Sequence, residues 1–222
     1  MTSTLDVLHE YAAQGASHGT VVVADEQLEG RGTRGRPWHS PLGGLWYSIL
    51  LRGVPDKQLE FLSLRIGLAI ALALEGEIPG LRLGLKWPND LMVGEGKVGG
   101  VLCEARWQGP VLGWIVVGLG INVNNRVTDV DQPAAMLADV AAGVTVEQLI
   151  GPITAALTAL ATGSTLSPAE LAEFANRDWL FGRSLLEPVS GRARGLNPDG
   201  SLRVERPDGI TVPVRAGRIL LG

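Results

Sequence analysis

Cysteine is almost absent: of 222 residues only Cys103 carries a thiol, so no internal disulfide can form. That suits a reducing compartment, and a cytoplasmic setting is expected. Lysine is nearly as scarce, with Lys57, Lys86 and Lys97 the only three among 19 basic residues. Arginine serves wherever else a cation is wanted. A planar fork and a compact ammonium are not interchangeable, so a surviving lysine points to a specific need. Lys86 and Lys97 lie 11 residues apart in one segment. Long apolar runs are also missing. The most hydrophobic stretch, residues 59–74, holds Glu60, Arg65 and Gly67 and is too short to span a bilayer, so it reads as a buried helix. The first ten residues carry Asp6, His9 and Glu10 and lack the apolar centre of a secretory leader. Excess charge is lacking too: a net charge of -4 argues against broad contact with DNA or a membrane surface. The histidines, His9, His18 and His39, show no metal-ligand spacing.

What is present is ample. A hydrophobic fraction of 45% supports a real core, and 222 residues suffice for one good-sized domain with a small second one. Ser3-Thr4 can cap a helix reaching Gln14, with Asp6 in its first turn. Residues 19–25 and 45–51 read as strands around a Gly, Arg and Pro-rich loop over 27–44. Residues 83–86 suggest a short strand, 91–93 and 98–106 a hairpin around Gly94-Glu95-Gly96, and 112–119 a further apolar strand before a polar loop over 120–133. Helices are expected near 146–161 and 168–178. From Arg183 onward, short strand candidates alternate with Asp199-Gly200 and Asp208-Gly209 turns. Adjacent strands with helices gathered elsewhere indicate an α+β fold, with a mixed, mostly antiparallel sheet carrying packed helices. The expected division is a domain over 1–180 and a small β domain over 181–222.

Three segments carry chemistry. Residues 30–38, Gly30-Arg31-Gly32-Thr33-Arg34-Gly35-Arg36-Pro37-Trp38, match G-x-G-x-x-G literally. A dinucleotide fingerprint would open a helix here. Pro37, Pro41 and Gly43-Gly44 prevent one, so the Rossmann reading fails. What remains is three arginines on a glycine-rich support, with multidentate donors for phosphate or carboxylate and Trp38 able to close over them. The second segment is Lys86-Trp87-Pro88-Asn89-Asp90, followed by Lys97 ahead of Gly99-Gly100. A lysine beside a strand face bared by glycines can stand between two anions that would otherwise repel. Asn89 and Asp90 alone are equally readable as turn residues. The third is Gly118-Leu119-Gly120-Ile121-Asn122-Val123-Asn124, read as a strand end rich in amides.

Together and in this order, these segments resemble the catalytic domain of biotin protein ligases, whose family carries GRGRxGRxW, KWPND with a following lysine, and GxGIN. The resemblance covers residues 3–133 by motif and the remainder by layout. It implies a sheet of the class II aminoacyl-tRNA synthetase and biotin ligase kind, plus a small SH3-like C-terminal β-barrel. It implies ATP, biotin and Mg²⁺, the metal held mainly by ATP phosphates, and transfer through biotinyl-5'-AMP to a lysine of a biotin carboxyl carrier protein. It assigns Lys97, Arg31 and Asp90 to catalysis, with Asp90 orienting the acceptor lysine. Biotin would meet Ser3, Thr4, Gln27, Gly30, Arg31, Trp38, Lys97, Gly99 and Gly100. ATP and the adenylate would meet Arg31, Gly32, Thr33, Arg34, Arg36, Trp38, Lys86, Asn89, Lys97, Asn122 and Asn124. A second loop, residues 123–133, would cover the adenine, and a homodimer would form through an open sheet edge.

Two positions depart from the family pattern. Thr33 stands where the loop motif usually has arginine, and Leu5 follows Ser3-Thr4 where the family has asparagine. With no DNA-binding helix-turn-helix ahead of Ser3, the chain is expected to be of the ligase-only class, without a DNA partner. Two other readings fit the same residues. One is a lipoate or octanoate ligase of the same superfamily, whose site would want an apolar tunnel in place of the polar Ser3, Thr4 and Gln27. The other is an inactive biotin-binding module, which would be expected to lose Arg31, Arg36, Asp90 and Lys97. Cys103 lies in an apolar run, where free thiols are usually inert, and is read as structural.

Overall fold

The computed structural model describes residues 1–125, 127, 133–161 and 163–222. Its centre is a six-stranded antiparallel sheet built from β1 (Val21–Ala24), β2 (Leu45–Leu51), β3 (Gly84–Lys86), β4 (Asp90–Val93), β5 (Gly96–Gln108) and β6 (Val111–Ile121), in the order β1-β2-β6-β5-β4-β3. Strand β2 is buried over its whole length because both faces of the sheet are covered. Alternation sends Leu45, Tyr47, Ile49 and Leu51 into the main core and Leu50 into a smaller one.

The smaller core lies under α1 (Thr4–Ala13), whose Leu5, Leu8 and Ala12 meet Val22, Leu50 and Val116. Ser3 caps this helix, its hydroxyl accepting from the Leu5 amide at 3.3 Å, and Asp6 sits in the favourable first turn. The opposite face is covered by α2 (Leu62–Glu77), α3 (Val146–Thr158) and α4 (Pro168–Ala175). Helix α2 begins three residues later than the apolar run suggests, because Asp56–Gln58 winds into a 3-10 turn and Phe61 takes the N-cap. Its one buried cation, Arg65, is fully employed. It pairs with Glu170 at 2.5 Å, donates to Gln58 and to the Thr165 carbonyl, and so ties α2 to the start of α4. That start is fixed by a capping box between Ser167 and Glu170 with Pro168 in the first turn.

A second sheet follows from β7 (Ser184–Glu187), β8 (Gly191–Leu196), β9 (Leu202–Glu205), β10 (Thr211–Val214) and β11 (Leu220–Leu221), in the order β10-β9-β8-β7-β11. The barrel expected here is not closed: β10 and β11 are the two edges of an open sheet. Strand β11 is only two residues long, and β10 contains Pro213, which has no N–H for a further partner. The two sheets are joined at definite points. The Trp87 indole donates to the Gly200 carbonyl at 3.0 Å. Gly200, at φ +80°, lies so close to Phe61 that a Cβ would come within 2.5 Å of the Phe61 Cβ. Leu85 on the β3 edge exchanges backbone hydrogen bonds with Arg177 and Trp179. That edge is therefore covered, and β1 forms the other. No helix among the described residues is long and apolar enough to cross a membrane.

Candidate functional site

The site is set by side chains that are missing. On the face of β6 turned toward α1, alternation presents Val116, Gly118 and Gly120. A Cβ on Gly118 would stand 3.0 Å from Leu5, and one on Gly120 would stand 2.5 Å from the Trp38 indole nitrogen. Leu5 and Trp38 thus rest directly on bare backbone. These glycines belong to the strand, which continues to Ile121, so the polar loop expected from residue 120 begins only after it. Between Leu5, Trp38 and β5 opens a cavity of about 650 Å³, bordered also by the 30–38 loop and the 86–90 turn.

Lys97 reaches this cavity through an irregularity in β5. The register against β4 slips between Leu91 and Met92, which pair with Gly99 and Lys97 and leave Val98 over. Val98 and Val101 consequently both enter the main core, although a regular strand would send residues three apart to opposite faces. The slip brings Lys97 to the same face as Gly100. A Cβ on Gly100 would sit 3.4 Å from the Lys97 Cε and 3.5 Å from its Nζ, so the glycine makes room for the long side chain. Backbone bonds to Pro133 and Ala135 hold Lys97 in place. Its ammonium pairs with Asp90 Oδ1 at 2.5 Å and lies 5.0 Å from the Trp38 ring centre. The Trp38 indole N–H is itself buried without a hydrogen-bond partner among the described residues.

Beside this pair is a polar cluster. Thr4 donates from its amide (2.8 Å) and its hydroxyl (3.0 Å) to Gln27 Oε1, and therefore accepts from Ser48 at 2.8 Å. Gln27 Nε2 donates to Ser40, whose hydroxyl donates to the Trp38 carbonyl. A continuous chain thus runs from β2 through the cap of α1 to the base of the 30–38 loop. Ser3, Thr4 and Gln27 line the cavity next to Leu5, Val101, Leu102 and Leu119, which gives it one polar end and an apolar wall.

The expected residues do not all present themselves to the cavity. Ser3, Thr4, Gln27, Arg31, Gly32, Thr33, Arg34, Arg36, Trp38, Lys86, Asn89, Asp90, Lys97, Gly100 and Asn122 line it, whereas Gly30, Gly99 and Asn124 do not. Gly30 is instead demanded by the Trp38 carbonyl, 2.4 Å from where a Cβ would sit, and Gly99 by the Gly120 carbonyl at 2.7 Å. Asn122 is 4% exposed, with its amide donating to Ala135 and accepting from Asn125. Asn89 donates to the Val101 carbonyl, which locks the turn. Arg31 is gripped by carboxylates, pairing with Asp6 at 2.8 Å and Glu104 at 2.9 Å. Glu104, and then Asp6, hold its guanidinium pKa above the ordinary value. Hydrogen bonds from His9 and Arg31 in turn hold the Glu104 carboxyl down at about 2. Of the loop expected over 123–133, positions 126 and 128–132 lie outside the described residues.

Other lining residues escape sequence reading. Tyr47, from the middle of β2, hydrogen-bonds Thr154 at 2.9 Å, and burial pushes its phenol up to about 12. Arg215, Ala216, Gly217, Arg218 and Ile219 close the cavity from the second sheet. Burial lowers the Lys86 pKa against the opposing charge of Asp90, and the charges of Lys97, Arg183 and Arg218 lower it further. Burial pushes the Cys103 thiol up to about 12, which favours the neutral thiol at that half-buried position. Among the described residues, no group of three or more His, Cys, Asp or Glu side chains could hold a metal ion.

Comparison with known proteins agrees with this geometry. The Biotin/lipoate A/B protein ligase family matches residues 1–122. The bifunctional ligase/repressor BirA of Bacillus subtilis is 37% identical over 131 residues, 58% of this chain and 40% of that protein. The chain thus matches about two fifths of that relative's length. The bifunctional ligase/repressor BirA of Salmonella typhimurium is 32% identical over 220 residues, 91% of this chain and 67% of that protein. The biotin protein ligase from Aquifex aeolicus, solved in complex with biotin and ATP, superimposes with a TM-score of 0.83 at 28% identity and covers 100% of this chain and 95% of that one. With the family match spanning more than half of the sequence and the cavity assembled from its three motif segments, the chain belongs to the biotin/lipoate A/B protein ligase family.

Proposed function

We propose that this protein is an ATP-dependent biotin–protein ligase that forms biotinyl-5'-AMP and passes the biotinyl group to a lysine of a biotin carboxyl carrier domain. One observation carries the reading: Lys97, paired with Asp90 beneath Trp38, stands in the same cavity as the polar cluster of Ser3, Thr4 and Gln27. The polar end suits a ureido head group, and the apolar wall of Leu5, Leu102 and Leu119 suits a ring and a short aliphatic chain. A ligand seated with its head group at the polar end would direct its carboxylate toward Lys97.

In the first step a carboxylate oxygen attacks the α-phosphorus of ATP, and the bond to the bridging oxygen breaks, releasing pyrophosphate. Two anions must approach each other, and Lys97 between them lowers that repulsion. The protein's contribution is positioning and fixed charge. In the second step the carrier lysine, as a neutral amine, attacks the acyl carbon, AMP leaves with the electron pair of the broken C–O bond, and the proton shed by the nitrogen passes to solvent. Asp90, freed as Lys97 turns to the phosphate, accepts a hydrogen bond from that amine and aligns it. Trp38 and the 30–38 loop keep water from the mixed anhydride. Arg34 and Arg36 on that loop supply phosphate donors, while Arg31 anchors its near end to α1 and β5 through Asp6 and Glu104. Mg²⁺ would enter on the phosphate oxygens, where it spreads the triphosphate's charge.

The acceptor is taken to be the carrier domain of a biotin-dependent carboxylase, and the lone free thiol of Cys103 supports a cytoplasmic setting. The β1 edge is the surface through which a second copy would add to the sheet. Exchange of labelled pyrophosphate into ATP tests the central claim, with biotin, lipoate and octanoate compared. Exchange with biotin alone is expected. Exchange only with the fatty acids would move the protein to the lipoate side of its family, and silence with all three would leave a binding module.

A further inference from the structure

One wall of the cavity comes from the second sheet. Residues 215–219, just ahead of β11, line it beside Lys86 and Asn89. Their position is fixed at three points. Arg215 pairs with Asp199 at 2.7 Å and with Glu60 at 3.5 Å. Gly217, at φ +145°, lies against Pro188, where a Cβ would come within 2.6 Å of the ring. Leu220 and Leu221 pair with β7.

The cations around the cavity divide into those already engaged and those available, and Arg34 and Arg36 of the 30–38 loop, which make no ion pair among the described residues, belong to the second group. Arg31 is held by Asp6 and Glu104, Lys97 by Asp90, and Arg215 by Asp199 and Glu60. Lys86 rests 5.2 Å from the Trp179 ring centre. Arg218 lines the cavity and makes no ion pair among the described residues. It stands close enough for its charge, with those of Lys97 and Arg183, to bear on Lys86. Like charges facing one cavity repel unless an anion comes between them.

We propose that Arg218 is a substrate-binding residue for the phosphate tail of ATP, the two phosphates that leave as pyrophosphate. This rests on the ligase reading above. If the α-phosphorus is attacked near Lys97, the leaving group departs on the side away from the carboxylate. An arginine on the wall supplied by the second sheet, near enough to Lys86 for their charges to interact, is able to take it with two parallel donors. Thr33 removes one cation from the 30–38 loop, which leaves more of the tail's charge to this wall. The second sheet is then part of the nucleotide site.

The test compares the full chain with Arg218→Ala and Arg218→Lys in biotin-dependent pyrophosphate exchange, with biotin affinity measured separately by calorimetry without nucleotide. Arg218→Ala is expected to raise the KM for ATP and the inhibition constant of pyrophosphate roughly tenfold, the value of one hydrogen bond to a charged group. Biotin affinity should stay unchanged, and Arg218→Lys should recover part of the loss. The residue is exposed, so both variants should fold, and equal unfolding midpoints check this. An ATP KM within about twofold of the original, or a loss confined to the carrier's KM, overturns the assignment. Absence of exchange in the unmodified protein overturns the ligase reading itself, a result the variants cannot mimic.

Discussion

Asp178 should make this protein less stable at neutral than at mildly acidic pH, through one unpaired oxygen. It stands where the segment after α4 pairs with Leu85 on the β3 edge and approaches Gly195 of β8. Its Oδ1 accepts from the Leu180 amide at 2.9 Å, whereas Oδ2 is buried with no hydrogen-bond partner among the described residues. Burial raises the carboxyl from 3.8 to about 6 against the two backbone donors that pull it down. A raised folded-state pKa means that the fold prefers the protonated acid. The stabilisation is complete below about pH 4 and is lost as pH rises through about 6. The upper limit, at about 1.4 kcal/mol per pH unit, is about 3 kcal/mol. Because the residue keeps some solvent contact, about 1–2 kcal/mol is the fairer figure. For a chain of this size that is a Tm difference of roughly 2–8 °C. Asp178→Asn mimics the protonated acid and keeps the acceptor for Leu180. Thermal unfolding by circular dichroism at pH 5 and pH 7.5 should show the variant above the parent at pH 7.5 by that margin, with the gap narrowing at pH 5. A variant less stable at both values, or one keeping the parent's full pH dependence, would show that Oδ2 carries no such cost.

Three further outcomes follow from the site. Glu104→Gln should remove one of the two carboxylates gripping Arg31 and cost about 1–2 kcal/mol at pH 7. Since the Glu104 pKa is depressed to about 2, the parent's advantage, read as the difference in denaturant midpoint, should fade as pH drops from about 4.5 toward 2. Gly120→Ala places a Cβ 2.5 Å from the Trp38 indole nitrogen, so Trp38 must move off β6, and biotin affinity should fall by about tenfold or more while α1 and the core keep their unfolding midpoint. Thr33→Arg restores a loop cation and should lengthen the lifetime of enzyme-bound adenylate, measured by chase with unlabelled biotin. An unchanged lifetime would mean that the loop holds the intermediate by other contacts.

Much of the fold is legible in the sequence because short-range rules govern it. The Ser3 cap, the seven-residue β2 and the Asp-Gly turns of the second sheet are each decided within a few residues, and each stands where those residues place it. What the sequence does not show has a common physical origin in contacts between distant segments. Gly120 reads as the start of a loop, since glycine weakens strands; it lies inside β6, as Gly118 does, because Trp38 and Leu5 occupy the space their side chains would fill. Asn122 reads as a ligand group, yet its amide is consumed by Ala135 and Asn125. Arg31 reads as a phosphate donor, yet Asp6 and Glu104, 25 residues before and 73 after it, meet its guanidinium first. Nothing local to residues 215–219 marks them as a cavity wall; Gly217 against Pro188 and Arg215 against Asp199 bring them there.

The same contrast separates the motif residues into two kinds. Glycines of the motifs are needed for what approaches them: the Trp38 carbonyl at Gly30, the Gly120 carbonyl at Gly99, the Lys97 side chain at Gly100. The lysine and aspartate are needed for charge, but only the register slip in β5 turns Lys97 to the cavity face. A sequence can therefore name Lys97 and Asp90 as separate site residues, but their meeting at 2.5 Å depends on a bulge of one residue, Val98, whose hydrophobic side chain has a better place in the core than over the cavity. Replacing Val98 with a polar residue of similar size, as in Val98→Thr, weakens that preference without touching any cavity side chain. If the bulge is what aims Lys97, this variant should lose adenylation rate more than it loses biotin affinity.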